Sequence, residues 1–163
     1  MTEARPSERP VVERLLQLYL YDLSEFTGAD VGPEGLFPYP HLDQYWSGGA
    51  SKALLLRSSG HLVGLALVRA LDDPLVPHDA WEMAEFFVLR GHRRRGIGTE
   101  AAMTIFDGFR GHWQVRELAR NTPAQAFWRR VIADYTAGNY TDVLVDNEQW
   151  RGAMQRFDNM ETG

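Results

Sequence analysis

The segment Val88–Thr99, V-L-R-G-H-R-R-R-G-I-G-T, constrains this chain more than any other. The run that leads into it, W-E-M-A-E-F-F-V-L over 81–89, is aromatic and branched and reads as a central strand. A helix pattern begins at Gly96, so strand passes to helix through a turn carrying Arg90, Arg93, Arg94 and Arg95. The first N–H groups of a helix lack intrahelical partners, and the helix dipole favours negative charge beside them. Gly96 and Gly98 let an anion approach the backbone closely, and the arginines add positive charge. The turn reads as an anion cradle. The plainer alternative is a glycine-containing turn with solvated arginines, and the surrounding sequence must decide.

That surrounding sequence predicts one mixed α/β domain over 1–163, too short for a second. Apolar residues Val12, Leu15, Leu16, Tyr19 and Leu23 recur at helical spacing, which predicts a helix over 11–26. A Gly- and Pro-rich loop follows, then a short helix over 42–46. Strands over 52–57 and 62–71 flank the turn Ser58-Ser59-Gly60 and predict a hairpin. A polar break covers 71–79, ahead of the strand over 81–89. A helix over 96–109, a strand over 113–118 and a helix opened by Thr122-Pro123 come next. Segments 140–145 and 150–157 suggest a final strand pair.

Three phosphate-binding patterns compete for the turn. A P-loop needs Lys and Ser/Thr after its second glycine, and Ile97 and Gly98 stand there instead. The dinucleotide pattern is formally met by Gly96, Gly98 and Ala101, with Glu117 where a ribose-binding acid would stand. An arginine-rich loop intervenes between strand and glycines, however, and only about 60 residues remain for the rest of a doubly wound sheet. The third pattern, R/Q-x-x-G-x-G/A, is met at every specified position by Arg93-Arg94-Arg95-Gly96-Ile97-Gly98. This resembles the acetyl-CoA motif of the GNAT N-acetyltransferase superfamily, and Phe86-Phe87-Val88 resembles the strand that leads into it. Further on, Asn121-Thr-Pro-Ala124 through Phe127-Trp128-Arg129 resembles the second signature of that family.

The resemblance spans about residues 50–145. It implies a central mixed, mostly antiparallel sheet flanked by helices and splayed at the acetyl-CoA site. It also implies direct transfer of an acetyl group from acetyl-CoA to a primary amine of a small molecule, peptide or protein. By the same resemblance, Phe86, Phe87 and Val88 pair with the pantetheine arm. The amides of Arg94, Arg95, Gly96, Ile97, Gly98 and Thr99, beside Arg93, hold the pyrophosphate, and Asn121 contacts the cofactor near the thioester. Trp128 stands where the family often carries a tyrosine acid. An indole N–H is no usable acid, so Trp128 reads as a packing or cofactor-contacting residue; either Tyr135 or Tyr140 substitutes, or no acid is needed because a thiol with a pKa of roughly 8.5 leaves as thiolate.

An ammonium acceptor needs a base, and Glu82 and Glu85 are the carboxylates on the strand before Val88. A regular strand would place them on opposite faces, whereas a bulge would unite them. Glu85 is the first candidate because it is nearer the expected splay. Tyr19, Tyr21, Phe37, Tyr39, Tyr45 and Trp46 form either an acceptor wall or plain core, and Asp22, Glu25 and Asp43 are acceptor-side acids by position alone.

The chain has no cysteine, which excludes a thiol nucleophile and a thiolate metal site; the histidines show no metal-ligand spacing. The net charge of -5 argues against nucleic-acid partners, including an aminoacyl-tRNA acceptor. No run of about 18 apolar residues predicts a membrane span, and the polar start lacks a secretion signal, so a cytoplasmic location is expected. Homodimer formation is left open. A different class of function, a non-catalytic acyl-CoA-binding or regulatory module, fits the same motifs and would lack a base facing the thioester.

Overall fold

Pro10 sits in the first turn of α1 (Arg9–Thr27), where its missing N–H costs nothing, and Gly28 ends the helix at φ 69°. This is the first of three α-helices in the computed structural model, which describes residues 1–72 and 77–160. The expected polar break over 71–79 lies partly outside the described residues, at 73–76. The remaining elements are β1 (Thr2–Glu3), β2 (Lys52–Ser58), β3 (His61–Ala70), β4 (Ala80–Val88) and α2 (Ile97–Gly108). They are followed by β5 (His112–Leu118), α3 (Thr122–Thr136), β6 (Thr141–Asp146) and β7 (Arg151–Asp158).

The strands form one seven-stranded sheet in the order β1-β2-β3-β4-β5-β7-β6. Every neighbouring pair is antiparallel except β4 and β5. The β2–β3 hairpin turns through Ser59 (φ 49°) and Gly60 (φ 79°), the doubly left-handed turn that matches strand twist. Two departures from the sequence reading are small. The expected helix over 42–46 is a single 3-10 turn, Leu42–Tyr45. The polar N-terminus supplies β1, which pairs with Leu54 and Leu55; its backbone makes the pairing, so side-chain periodicity carries no sign of it.

Each face of the sheet has its own core. α1 and Tyr45 pack over β1–β4 through Val12, Leu16, Leu55, Leu65, Leu67 and Phe87. On the other face α2 and α3 bury Ile105, Phe106, Trp113, Val115, Trp128 and Ile132.

Two irregularities make the site. β4 and β5 pair only from Ala80↔His112 to Met83↔Val115, after which both strands run on unpaired with each other and the sheet opens. At the same level the β3–β4 register slips, because Leu67 lies opposite Glu85 while Val68 lies opposite Met83. Ala84 is therefore the extra residue of a β-bulge.

Candidate active site

The open end of the sheet is lined by backbone. The bond from the Leu89 amide to the Val63 carbonyl fixes the phase of the β3–β4 ladder, so Phe87 exchanges its bonds with Leu65. Phe86 and Val88, in the alternate positions, turn their amides away from β3 and toward the gap. Just beyond, Arg94 (φ 61°) and Gly96 (φ 81°) curl the chain into the N-terminus of α2. Among the described residues, no protein acceptor takes the amides of Arg94, Arg95, Gly96, Ile97, Gly98 or Thr99; the first helical bond runs from Glu100 to Gly96. A row of free N–H groups at a helix start, rimmed by exposed Arg94 and Arg95, is chemically fitted to a pyrophosphate. Gly98 is held close to Phe86 and Phe127, whose ring carbons would lie 3.8 and 3.4 Å from a Cβ there.

The acids lie on the other side of β4. The bulge at Ala84 brings Glu82 and Glu85 onto the α1 face together, and the two differ sharply. Glu82 is 2% exposed and closed in an ion cluster. Its carboxylate accepts from Arg69 of β3, from Arg116 Nε at 2.6 Å and from Gln114 at 3.2 Å. Glu85 is half-buried and accepts a hydrogen bond from Tyr39, at 3.0 Å. Burial pushes the Glu85 carboxyl above the usual carboxylate range, and the Tyr19 and Tyr39 hydroxyls oppose part of that rise. The negative charge of Glu82 adds to it. Burial also holds the tyrosines protonated, with the Tyr45 hydroxyl pushed up to about 12.

Other sequence candidates take different roles. Arg93 does not turn to the cradle: its Nε donates to the Val88 carbonyl at 2.7 Å, and its guanidinium pairs with Asp22 of α1. Asp22 also holds Arg90 at 2.7 Å, so it anchors the loop rather than lining an acceptor wall. Asn121 caps α3, its Oδ1 accepting from the Ala124 amide at 3.2 Å. Trp128 is 6% exposed and packs edge-on against Phe86 at 5.0 Å. Its placement fits packing beneath the strand end.

The structure does not bring Tyr135 to the open end. Its hydroxyl donates to Asp107 at 2.9 Å and accepts from Asn159, at the end of the sheet where β4 begins. Glu117, at the spacing of a ribose-binding acid, is 4% exposed in the α3 core, where burial raises its pKa to about 8.

The aromatic group, which the sequence offers as either wall or core, divides in the structure. Tyr19 packs on Phe87 at 5.8 Å, Tyr45 is buried, Tyr39 reaches Glu85, and Tyr21 is exposed. Arg69 and Arg116 were not singled out. Their only sequence trace is alternation, which puts them on the same face as Glu82 once the strands are paired.

The model of the Acetyltransferase (GNAT) family matches residues 15–132. No curated protein sequence matches the chain. Among solved structures, an acetyltransferase from Thermus thermophilus superposes with TM-score 0.70 at 15% identity, over 97% of this chain and 95% of that one. A ribosomal-protein-alanine N-acetyltransferase from Brucella melitensis gives 0.63 at 16% identity, over 97% and 98%. A Bacillus subtilis acetyltransferase in complex with CoA gives 0.51 at 7% identity, over 72% and 82%. At these identities the superpositions establish the shared fold.

Proposed function

The chain belongs to the GNAT acetyltransferase family, whose acyl donor is acetyl-CoA, and from that premise we infer that it transfers acetyl directly to a primary amine with Glu85 as base. The observation that carries this reading is the position of Glu85. It follows the bulge at Ala84, beside the opening between β4 and β5, faced by the Tyr39 and Tyr19 hydroxyls and free of ion pairs among the described residues.

The free amides from Arg94 to Thr99 would hold the pyrophosphate, and the gap-facing amides of Phe86 and Val88 would guide the pantetheine arm. A lysine-like ammonium, with a pKa of about 10.4, gives its proton to Glu85 directly or through water. The neutral nitrogen attacks the acetyl carbonyl carbon while the Val88 N–H faces the developing oxyanion. Such donors are worth roughly 3 kcal/mol. The C–S bond then breaks, its electron pair leaves on sulfur, and the nitrogen gives up its second proton to the departing thiolate or to water. A thiol with a pKa of about 8.5 departs as thiolate without prior protonation, so the absence of a tyrosine at position 128 is no obstacle. Glu82 is unsuited to the base role because both of its oxygens are engaged by guanidinium groups.

Thiol release from acetyl-CoA across a panel of amines, amino acids and peptides tests the reading. Wild type should turn over at least one acceptor. Glu85→Gln should lower kcat by about 100-fold or more with acetyl-CoA still bound. Tight acetyl-CoA binding with no turnover on the panel would favour the non-catalytic binding module.

A further inference from the structure

The ion cluster around Glu82 is more than a neutral pair. Arg69 comes from β3, directly opposite Glu82, and Arg116 comes from β5 across the mouth of the splay. Two guanidinium groups share one buried carboxylate, so Glu82 alone does not balance them, and the charge of Glu85 acts on Arg69 without forming an ion pair. Both remain partly open to solvent, with side chains 37% and 28% exposed, while Glu82 is 2% exposed.

Neither guanidinium is used up. Arg69 gives one Nη to Glu82, and its Nε is buried with no hydrogen-bond partner among the described residues. Arg116 gives its Nε to Glu82 and lies over the Trp150 ring at 4.7 Å. That stacking holds the guanidinium plane while leaving its terminal nitrogens without hydrogen-bond partners among the described residues. A third cation, Arg156 of β7, stands on the same face and donates to Gln114 at 3.3 Å. The α1 core that roofs this face draws its residues from the β1–β4 side, so the β5–β7 side is not part of that roof.

We propose that Arg69 and Arg116 form a carboxylate-binding subsite beside Glu85, and that the acceptor is a small amino acid or amino-carboxylate acetylated on its amine. This rests on the acetyltransferase reading above and names its substrate class. The geometry fits a short molecule: successive same-face positions on a strand lie about 7 Å apart, so an amine at Glu85 and a carboxylate at the arginines are within one spacer of each other. A planar fork suits a carboxylate, which accepts two parallel N–H bonds from one guanidinium. Glu82 then acts as the positioning residue that holds both forks, rather than as a second base. An unsubstituted polyamine, by contrast, would bring no carboxylate to the two forks and would place its second positive charge beside them.

The test compares an amino acid with the amine that lacks only its carboxylate, such as phenylalanine with 2-phenylethylamine, in wild type, Arg116→Lys and Arg69→Lys. Lysine keeps the charge beside Glu82 and removes the fork, which protects folding. The expected wild-type preference in kcat/KM is tenfold or more for the amino acid, and each lysine variant should collapse that ratio toward one, chiefly through KM. Turnover with no such preference, or a ratio unmoved in both variants, overturns the subsite and leaves the acetyltransferase reading standing. Absence of turnover on every acceptor counts against that reading instead. In that case, calorimetric titration of the CoA-saturated protein with the amino acid decides the subsite alone: binding weakened by Arg116→Lys supports it, and no binding overturns it.

Discussion

Glu82 and Glu85 share one face of β4 although an odd number of positions separates them, because the bulge at Ala84 inserts a residue between them. The same distortion coincides with the end of β4–β5 pairing at Met83. The sheet opens at that level beside the cradle, and the bulge turns a second carboxylate toward the α1 side, where only one of the two is left without an ion pair among the described residues.

That placement sets a pH dependence. As the proposed base, Glu85 must be ionised to accept a proton, so kcat/KM should fall as pH drops through its pKa, which burial raises above the ordinary value of about 4.3. The Tyr39 hydroxyl bonds the carboxylate and lowers that pKa. Tyr39→Phe should therefore move the acidic limb to higher pH. Glu85→Gln should remove the limb along with most of kcat. Steady-state rates from about pH 5 to 9 check both, and an unmoved limb in Tyr39→Phe would sink the assignment.

Arg93 illustrates how far a motif can be read. Its position in R-x-x-G-x-G/A was legible in sequence, but its direction was not. The side chain ties the loop to the Val88 carbonyl and to Asp22 rather than to the cradle. A clamp and a direct phosphate contact give opposite results for Asp22→Asn. If Arg93 touched phosphate, freeing it from Asp22 would tighten acetyl-CoA binding. As a clamp, Asp22→Asn and Arg93→Ala should each weaken binding several-fold, and the double variant should be no worse than the weaker single one. Calorimetric titration with CoA separates the two.

The elements were legible because periodicity, capping and turn chemistry are local. α1, the hairpin at Ser59-Gly60, β4 and the Pro123 helix all fall within a residue or two of their expected bounds. What joins the site is long-range. Tyr39 meets Glu85, Arg116 meets Glu82, and Asp22 meets Arg93 only after the strands have found their registers. Nothing in the spacing of Tyr39 marks it over Tyr21, which is 67% exposed. The bulge was foreseen only as a condition, since Ala84 has no property that demands it. Tyr135, offered from nearness in sequence, lies on the wrong end of α3 for the opening, because the helix carries it about 20 Å from Asn121.

Gly64 is the residue that lets β3 pass the end of β4. A Cβ there would lie 2.0 Å from the Phe87 carbonyl oxygen, a backbone atom that cannot rotate away. Gly64→Ala should shift the strand at Phe87 and Val88, costing about 1–3 kcal/mol of stability. Since those residues line the opening, activity should fall further than the lost stability explains. Denaturant unfolding alongside kcat/KM at a temperature where the variant is folded measures both effects.

Glu117 gives the last test, and it concerns stability rather than catalysis. Both carboxylate oxygens are buried without hydrogen-bond partners among the described residues, beneath α3 and beside Gln155. Burial raises the pKa from 4.5 to about 8, so the folded protein binds this proton more tightly than the unfolded chain does. The sign follows from linkage. The contribution is complete below about pH 4.5 and is lost as pH rises through about 8, at a cost on the order of a few kcal/mol. Glu117→Gln keeps the shape and removes the charge. Wild type should lose stability between about pH 5 and 9 relative to this variant, and the two curves should converge at the acidic end. Thermal or urea unfolding across that range decides the matter, and parallel curves would mean that the buried carboxyl is ionised and held by partners of its own.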